Sequence, residues 1–223
     1  MNYFSRIVKK LGYLFNLYCL RDPFLISVEK WFADRGDEKL RLAYPLDQSS
    51  IVFDVGGYLG DFSEAIHSKY GCSVYLFEPV PTFYEACVAR FKDNPSIVCL
   101  NYGLSSSSGW LAINLNNDES SFKKSDTGSA TQKAEVRSFA ETVSTLGVDK
   151  IDLIKINIEG GEFDLLPAMI DSGFIKRVGF LQVQFHNFVD GAKQSRSKIR
   201  ESLSRTHREM WNYEFVWESW ELR

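Results

Sequence analysis

Ile51-Val52-Phe53-Asp54-Val55-Gly56-Gly57-Tyr58-Leu59-Gly60-Asp61 combines an apolar run ending in an acid with three closely spaced glycines. The run up to Asp54 reads as a buried strand, and Phe62-Ser63-Glu64-Ala65-Ile66 behind it as the opening of a helix. A strand entering a helix through glycines makes a ligand cradle. Gly56, Gly57 and Gly60 admit unusual dihedrals and close backbone approach, and the helix N-terminus adds unpaired N–H groups. A pyrophosphate fingerprint needs G-x-G-x-x-G, whereas these glycines fall as G-G-x-x-G behind Asp54, so the expected ligand lacks phosphates.

A second apolar run, Val74-Tyr75-Leu76-Phe77, ends in Glu78-Pro79. One carboxylate at the tip of a second strand can accept hydrogen bonds from both hydroxyls of a ribose. Glycine turn and acid together, at the spacing of a βαβ unit, point to an adenosine-type ligand more specifically than either half.

The chain has 223 residues, 44% of them hydrophobic and 14% aromatic, which suits one sizeable α/β domain. We expect a helical extension over 1–50 and a ligand-binding domain over 51–223. A net charge of −3 gives no reason to expect a nucleic-acid partner. Cys19, Cys72, Cys87 and Cys99 lack C-x-x-C spacing, which argues for a reducing compartment, and thus a cytoplasmic location, without a structural metal. Arg6, Lys9 and Lys10 precede the apolar stretch Leu11 to Leu20, but no small-residue cleavage site follows, so export is not expected. This basic amphipathic helix is expected to pack on the domain, with peripheral membrane contact as the alternative.

Further along, helices are expected over Phe24 to Phe32 and Thr82 to Phe91, with Pro81 at the start of the second. Ile97 to Asn101 reads as a third strand, and the backbone of Tyr102-Gly103-Leu104 is placed to flank an adenine edge, making Asn101 and Leu104 candidate ligand neighbours. Trp110 to Leu115 reads as an added strand. Asn116 to Thr131 is the clearly polar tract, either a substrate loop or a solvated one. Ser138-Phe139-Ala140-Glu141 has capping-box spacing for a helix ending near Gly147. Ile151 to Ile158 is the fourth strand, interrupted by Lys155, whose charge must be paired or functional if buried. Glu159-Gly160-Gly161-Glu162 follows, then a helix to Asp171 that Pro167 should begin or kink. The fifth strand is expected over Val178 to Phe185, ending in His186. A charged helix over Ala192 to Glu209 and strands over Tyr213 to Trp217 and Ser219 to Leu222 close the chain.

Three segments together, Phe53-Asp54-Val55-Gly56-Gly57-Tyr58-Leu59-Gly60, Phe77-Glu78-Pro79 and Lys155-Ile156-Asn157-Ile158-Glu159-Gly160-Gly161-Glu162, resemble the FkbM family of S-adenosylmethionine-dependent methyltransferases. The resemblance runs from about Ile51 to His186. It implies a class I methyltransferase fold: a Rossmann-like α/β three-layer sandwich whose seven-stranded, mostly parallel sheet ends in a C-terminal antiparallel strand pair. It also implies S-adenosyl-L-methionine as cofactor, held by Asp54, Gly56, Gly57, Gly60, Glu78, Pro79, Asn101 and Leu104, and O-methylation of a small-molecule or glycan acceptor such as a sugar or natural product. Asn157 stands where the family usually has Asp, and Gln184 where it often has Glu. Amides orient hydroxyls but cannot act as general bases and are poorer Mg²⁺ ligands, so no metal is expected.

Methyl transfer to oxygen asks the protein to hold a hydroxyl in line and remove its proton. His186 is the expected base, because it follows a strand facing the ligand crevice and histidine ordinarily titrates near neutrality. Glu159 is the alternative base, Asn157 the residue orienting the hydroxyl, and Lys155 is expected to pair with Glu162 to fix the loop. Two rival readings remain at this level: a nicotinamide-dependent oxidoreductase, against which the glycine spacing argues, and a non-catalytic binding domain with a methyltransferase fold.

Overall fold

The structure, a computed structural model, describes residues 12, 15–116, 119–121 and 131–223. Helix α1 (Pro23–Ala33) and the short α2 (Gly36–Lys39) precede a βαβ succession of β1 (Ile51–Val55), α3 (Asp61–Tyr70), β2 (Ser73–Phe77), α4 (Pro81–Phe91) and β3 (Ile97–Leu100). Four short strands follow: β4 (Gly103–Ser105), β5 (Gly109–Asn116), β6 (Glu119–Ser121) and β7 (Thr131–Ser138). Then come α5 (Phe139–Leu146), β8 (Ile151–Ile156), α6 (Glu162–Asp171), a 3-10 turn over Phe174–Arg177, β9 (Val178–Val183), α7 (Ala192–Leu203), β10 (His207–Tyr213) and β11 (Trp217–Leu222).

The main sheet has the order β10-β11-β9-β8-β1-β2-β3. Its pairings are parallel from β9 to β3, while β11 runs antiparallel to both β9 and β10. Because β1 lies between β2 and β8, the chain reverses its direction of winding there, and the carboxyl ends of β1 and β8 border a crevice of the kind in which open α/β sheets bind ligands. One face of the sheet buries Phe53, Phe77, Ile154 and Leu181 against Leu165, Leu166 and Ile199 of α6 and α7. The other buries Val52, Val74, Leu76 and Leu153 against Phe62 and Ile66 of α3 and Phe91 of α4. With apolar side chains on both faces, the central strands read as unbroken hydrophobic runs.

Residues ahead of β1 also join the core. Tyr44 is buried, with its hydroxyl 3.0 Å from Ser219 Oγ, and the Trp31 ring packs 5.1 Å from that of Tyr213 and 5.7 Å from that of Trp211. Of the basic helix expected up to Leu20, Gly12 and residues 15–20 are described, with residues 15–18 helical and Leu17 buried, and the rest lies outside the described residues. Among the described residues no helix is long and apolar enough to cross a membrane.

Several elements differ from the sequence reading. The helix expected from Phe24 begins one residue earlier, at Pro23, with Asp22 capping the N–H groups of Phe24 and Leu25. Of the two expected places for Pro167, the start of the helix is not the one taken, since it lies inside α6. The last helix stops at Leu203 rather than Glu209, and the strand pair lies at β10 and β11. The segment from His207 is an edge strand whose charged residues face solvent, with a bulge between Glu209 and Trp211 that blunts the edge. A second sheet, β4-β7-β5-β6, was not expected. Its strand β7 buries Ala134 and Val136 on alternate positions, a period-two signal carried by only two apolar residues. The polar tract expected as a substrate loop lies outside the described residues, except for 116, β6 and Thr131.

Candidate active site

Two groups of side chains meet at the carboxyl edge of the sheet, one on each side of the crevice. The first is built on the glycine turn. Gly56 and Gly60 have φ of 81° and 84°, in the left-handed region that favours glycine. A Cβ on Gly56 would lie 2.0 Å from the Asn157 carbonyl, so glycine is what lets the ends of β1 and β8 close together. At Gly57 a Cβ would strike Leu76 at 2.4 Å. These two glycines therefore serve packing of the turn on its neighbours.

Glu78 directly follows β2, and its buried carboxylate sits beneath this turn. The Tyr58 N–H donates to Oε2 at 2.8 Å and the Val80 N–H to Oε1 at 2.9 Å. Each oxygen keeps a further lone pair, so the two acceptors fit a cis-diol that donates one hydroxyl to each. Burial pushes the Glu78 carboxyl up to about 7, against the lowering effect of the two backbone donors. Asn101 acts behind it, its amide donating to the Glu78 carbonyl at 3.0 Å and thus anchoring the Glu78-Pro79 turn. The Leu104 side chain is buried in the core, so only its backbone is available to a ligand.

Asp54 and Lys155 sit beneath the turn. Asp54 is fully buried; Ser63 Oγ donates to its Oδ2 at 2.7 Å, and Lys155 Nζ donates to its Oδ1 at 2.8 Å. Lys155 also donates to the Gly56 carbonyl at 2.6 Å. Burial pulls the lysine below its usual range and the Asp54 charge opposes that. The expected ion pair between Lys155 and Glu162 is therefore not formed. Lys155 braces the glycine turn from below, because β1 and β8 are paired in register at Asp54 and Lys155.

The second group surrounds a cavity of about 300 Å³, whose lining includes Phe24, Asn157, Gln184, His186, Phe188 and Phe215. Glu159 lines it as well, with φ of 46° in the turn after β8. His186 lies three residues beyond the end of β9 and is positioned by Glu162, the first residue of α6, which is fully buried. Glu162 Oε1 accepts the His186 backbone N–H at 2.9 Å and lies 3.1 Å from Nδ1, while Oε2 accepts the Gly160 N–H at 2.8 Å. A carboxylate beside Nδ1 selects the tautomer protonated there and leaves Nε2, across the ring, as an acceptor.

Of the expected catalytic residues, the fold thus brings His186, Glu159 and Asn157 to one cavity and separates Lys155 from them. The sequence reading missed Phe24, Phe188 and Phe215 on the cavity wall, and Ser63 behind Asp54. Nothing in their local patterns distinguishes these aromatics from core residues. Among the described residues, no group of three or more His, Cys, Asp or Glu side chains is placed to hold a metal ion.

Comparison with known proteins points the same way. The methyltransferase FkbM domain matches residues 54–215. Hexuronic acid methyltransferase AglP of Haloferax volcanii is 29% identical over 147 residues, covering 65% of this chain and 59% of that protein. The chain thus matches only about three-fifths of that relative's length. Among solved structures, a Streptococcus mutans methyltransferase candidate in complex with SAH has a TM-score of 0.51 at 11% identity, covering 86% of this chain and 97% of that one. Aeropyrum pernix fibrillarin with natively bound S-adenosyl-L-methionine has a TM-score of 0.50 at 9% identity, covering 84% and 71%. At such identities these likenesses speak for the class I methyltransferase fold alone.

Proposed function

This chain belongs to the FkbM methyltransferase family, and from that premise we propose that it transfers a methyl group from S-adenosylmethionine to a hydroxyl of a sugar, with His186 as general base. The observation that carries the proposal is the contact between buried Glu162 and His186 Nδ1 at the wall of a cavity beside the crevice. S-adenosylmethionine, when bound, supplies a methyl carbon on a sulfonium, whose C–S electron pair returns to sulfur on transfer.

The chain's own residues have three tasks. Glu78 holds the ribose hydroxyls of the cofactor, and the glycine turn braced by Asp54 and Lys155 fixes the distance between that anchor and the cavity. The amides of Asn157 and Gln184 orient the acceptor hydroxyl. His186 Nε2 takes the hydroxyl proton as the oxygen–carbon bond forms, and Glu162 stabilises the imidazolium this produces. A sugar acceptor is supported by the relationship to the Haloferax hexuronic acid methyltransferase. The same reading makes 51–223 the catalytic domain, 1–50 a helical extension and the cytoplasm its place of work, with no metal and no nucleic acid in the reaction. Glu159 offers a second base on the same wall.

Replacing the base separates the two. General-base removal costs about 10²–10⁴-fold, so His186→Ala should lower kcat by that factor while the affinity for S-adenosylhomocysteine stays near wild type. A His186→Ala enzyme with normal turnover, beside an inactive Glu159→Gln enzyme, would transfer the role to Glu159.

A further inference from the structure

The cavity beside His186 shares wall residues with a second hollow. This one, about 470 Å³, is lined by residues that include Asn187, Val189, Lys193, Gln194 and Phe215, and Asn187 and Phe215 belong to the walls of both. Phe215 occupies the turn between β10 and β11 with φ of 59°, a conformation a bulky residue keeps only when its surroundings enforce it. Here the enforcement is visible. The buried Arg196 guanidinium lies 5.3 Å from the centre of the Phe215 ring and is itself held by Glu218 at 2.6 Å. Strain of this kind gathers at ligand-binding positions, and it sets a rigid aromatic platform where the two cavities meet.

The chemistry on either side of that platform is alike. Asn157 and Gln184 line the first cavity, Gln194 and Lys193 the second, and Asn187 the boundary. Amide and amine groups around an aromatic ring suit a sugar, whose C–H face packs on the ring while its hydroxyls find hydrogen-bond partners. The first cavity is at the small end of ligand pockets, which run from about 300 to 1,000 Å³, so a chain of sugars must extend beyond it.

We propose that the acceptor is an oligosaccharide of at least two units, with the methylated unit beside His186 and its neighbour lying across Phe215 against Asn187, Gln194 and Lys193. The proposal rests on the sugar-acceptor reading above. Lys193 and Gln194 are exposed on the first turn of α7, so a Lys193→Ala/Gln194→Ala protein should fold as wild type does.

The test uses hexoses and hexuronic acids, each as monomer and as homodimer, with methyl transfer measured by isotope incorporation and binding by saturation-transfer NMR in the presence of S-adenosylhomocysteine. The preferred sugar should show a higher kcat/KM as dimer than as monomer, and the double variant should cut that preference by about three- to tenfold, the worth of one or two hydrogen bonds. Equal kcat/KM for monomer and dimer, or a variant that weakens both alike, overturns the second subsite and leaves the sugar reading standing. If no sugar binds or accepts a methyl group, the sugar reading falls, and this inference with it.

Discussion

Glu162→Gln is the substitution that tests how the proposed base is held. The carboxylate meets three donors: the Gly160 N–H on Oε2, and the His186 N–H and Nδ1 on Oε1. An amide has one acceptor oxygen, so it cannot satisfy all three. With its oxygen toward His186, the NH₂ faces the Gly160 N–H, donor against donor. With the amide reversed, the NH₂ donates to Nδ1 and faces the His186 N–H, which moves the ring proton to Nε2 and removes the acceptor that catalysis needs. Each orientation has a single donor–donor conflict, so the two are close in energy and the wrong tautomer is populated. The lost charge-assisted bond should lower stability by about 1.5–3 kcal/mol. The loss of the negative charge that stabilises the imidazolium should lower kcat by at least about 10²-fold, within the range for general-base catalysis. The assay is methyl incorporation into the acceptor under saturating cofactor, with urea unfolding and calorimetric titration of S-adenosylhomocysteine alongside. Cofactor affinity should hold, because Glu78 stands across the crevice. A Glu162→Gln enzyme with kcat within about threefold of wild type would refute the Glu162–His186 assignment.

Two further outcomes follow from groups on the cofactor side. Lys155→Met leaves Asp54 charged, fully buried and supported by Ser63 alone, so it should cost about 3–5 kcal/mol in urea unfolding; a loss below about 1 kcal/mol would mean the pair does not brace the turn. Glu78, pushed up to about 7 by burial, must be ionised to accept from two hydroxyls. Its raised folded-state pKa means that ionisation costs the free protein stability above about 7, a cost that disappears towards the ordinary carboxylate range near 4.5. Below about 7 the free protein's Glu78 is protonated and cofactor binding must first deprotonate it, so the Kd for S-adenosylhomocysteine should rise about tenfold between pH 7.5 and 6; a flat profile by calorimetry would exclude Glu78 as the ribose anchor.

What the sequence determined by itself is local. The run ending at Asp54, the glycines behind it, Glu78 and the E-G-G-E turn are each contiguous signals, because strand alternation, turn dihedrals and helix capping depend on residues within a few positions of one another. They were enough to place β1, β2 and β8 and the crevice between them. Other features needed three dimensions. Lys155 had two acids within plausible reach, and only the register of β1 against β8 showed that it meets Asp54, leaving Glu162 to His186. Phe24 from α1 and Phe215 from the last hairpin share a cavity wall although most of the chain lies between them. No pattern in either segment announces this, since packing against a common site depends on where the sheet brings the segments and not on what surrounds them in sequence. The end of α7 was likewise undecided locally. The residues after Leu203 carry neither glycine nor proline, and what halts the helix is the edge of β11, whose free hydrogen-bonding groups draw His207 to Tyr213 into the sheet.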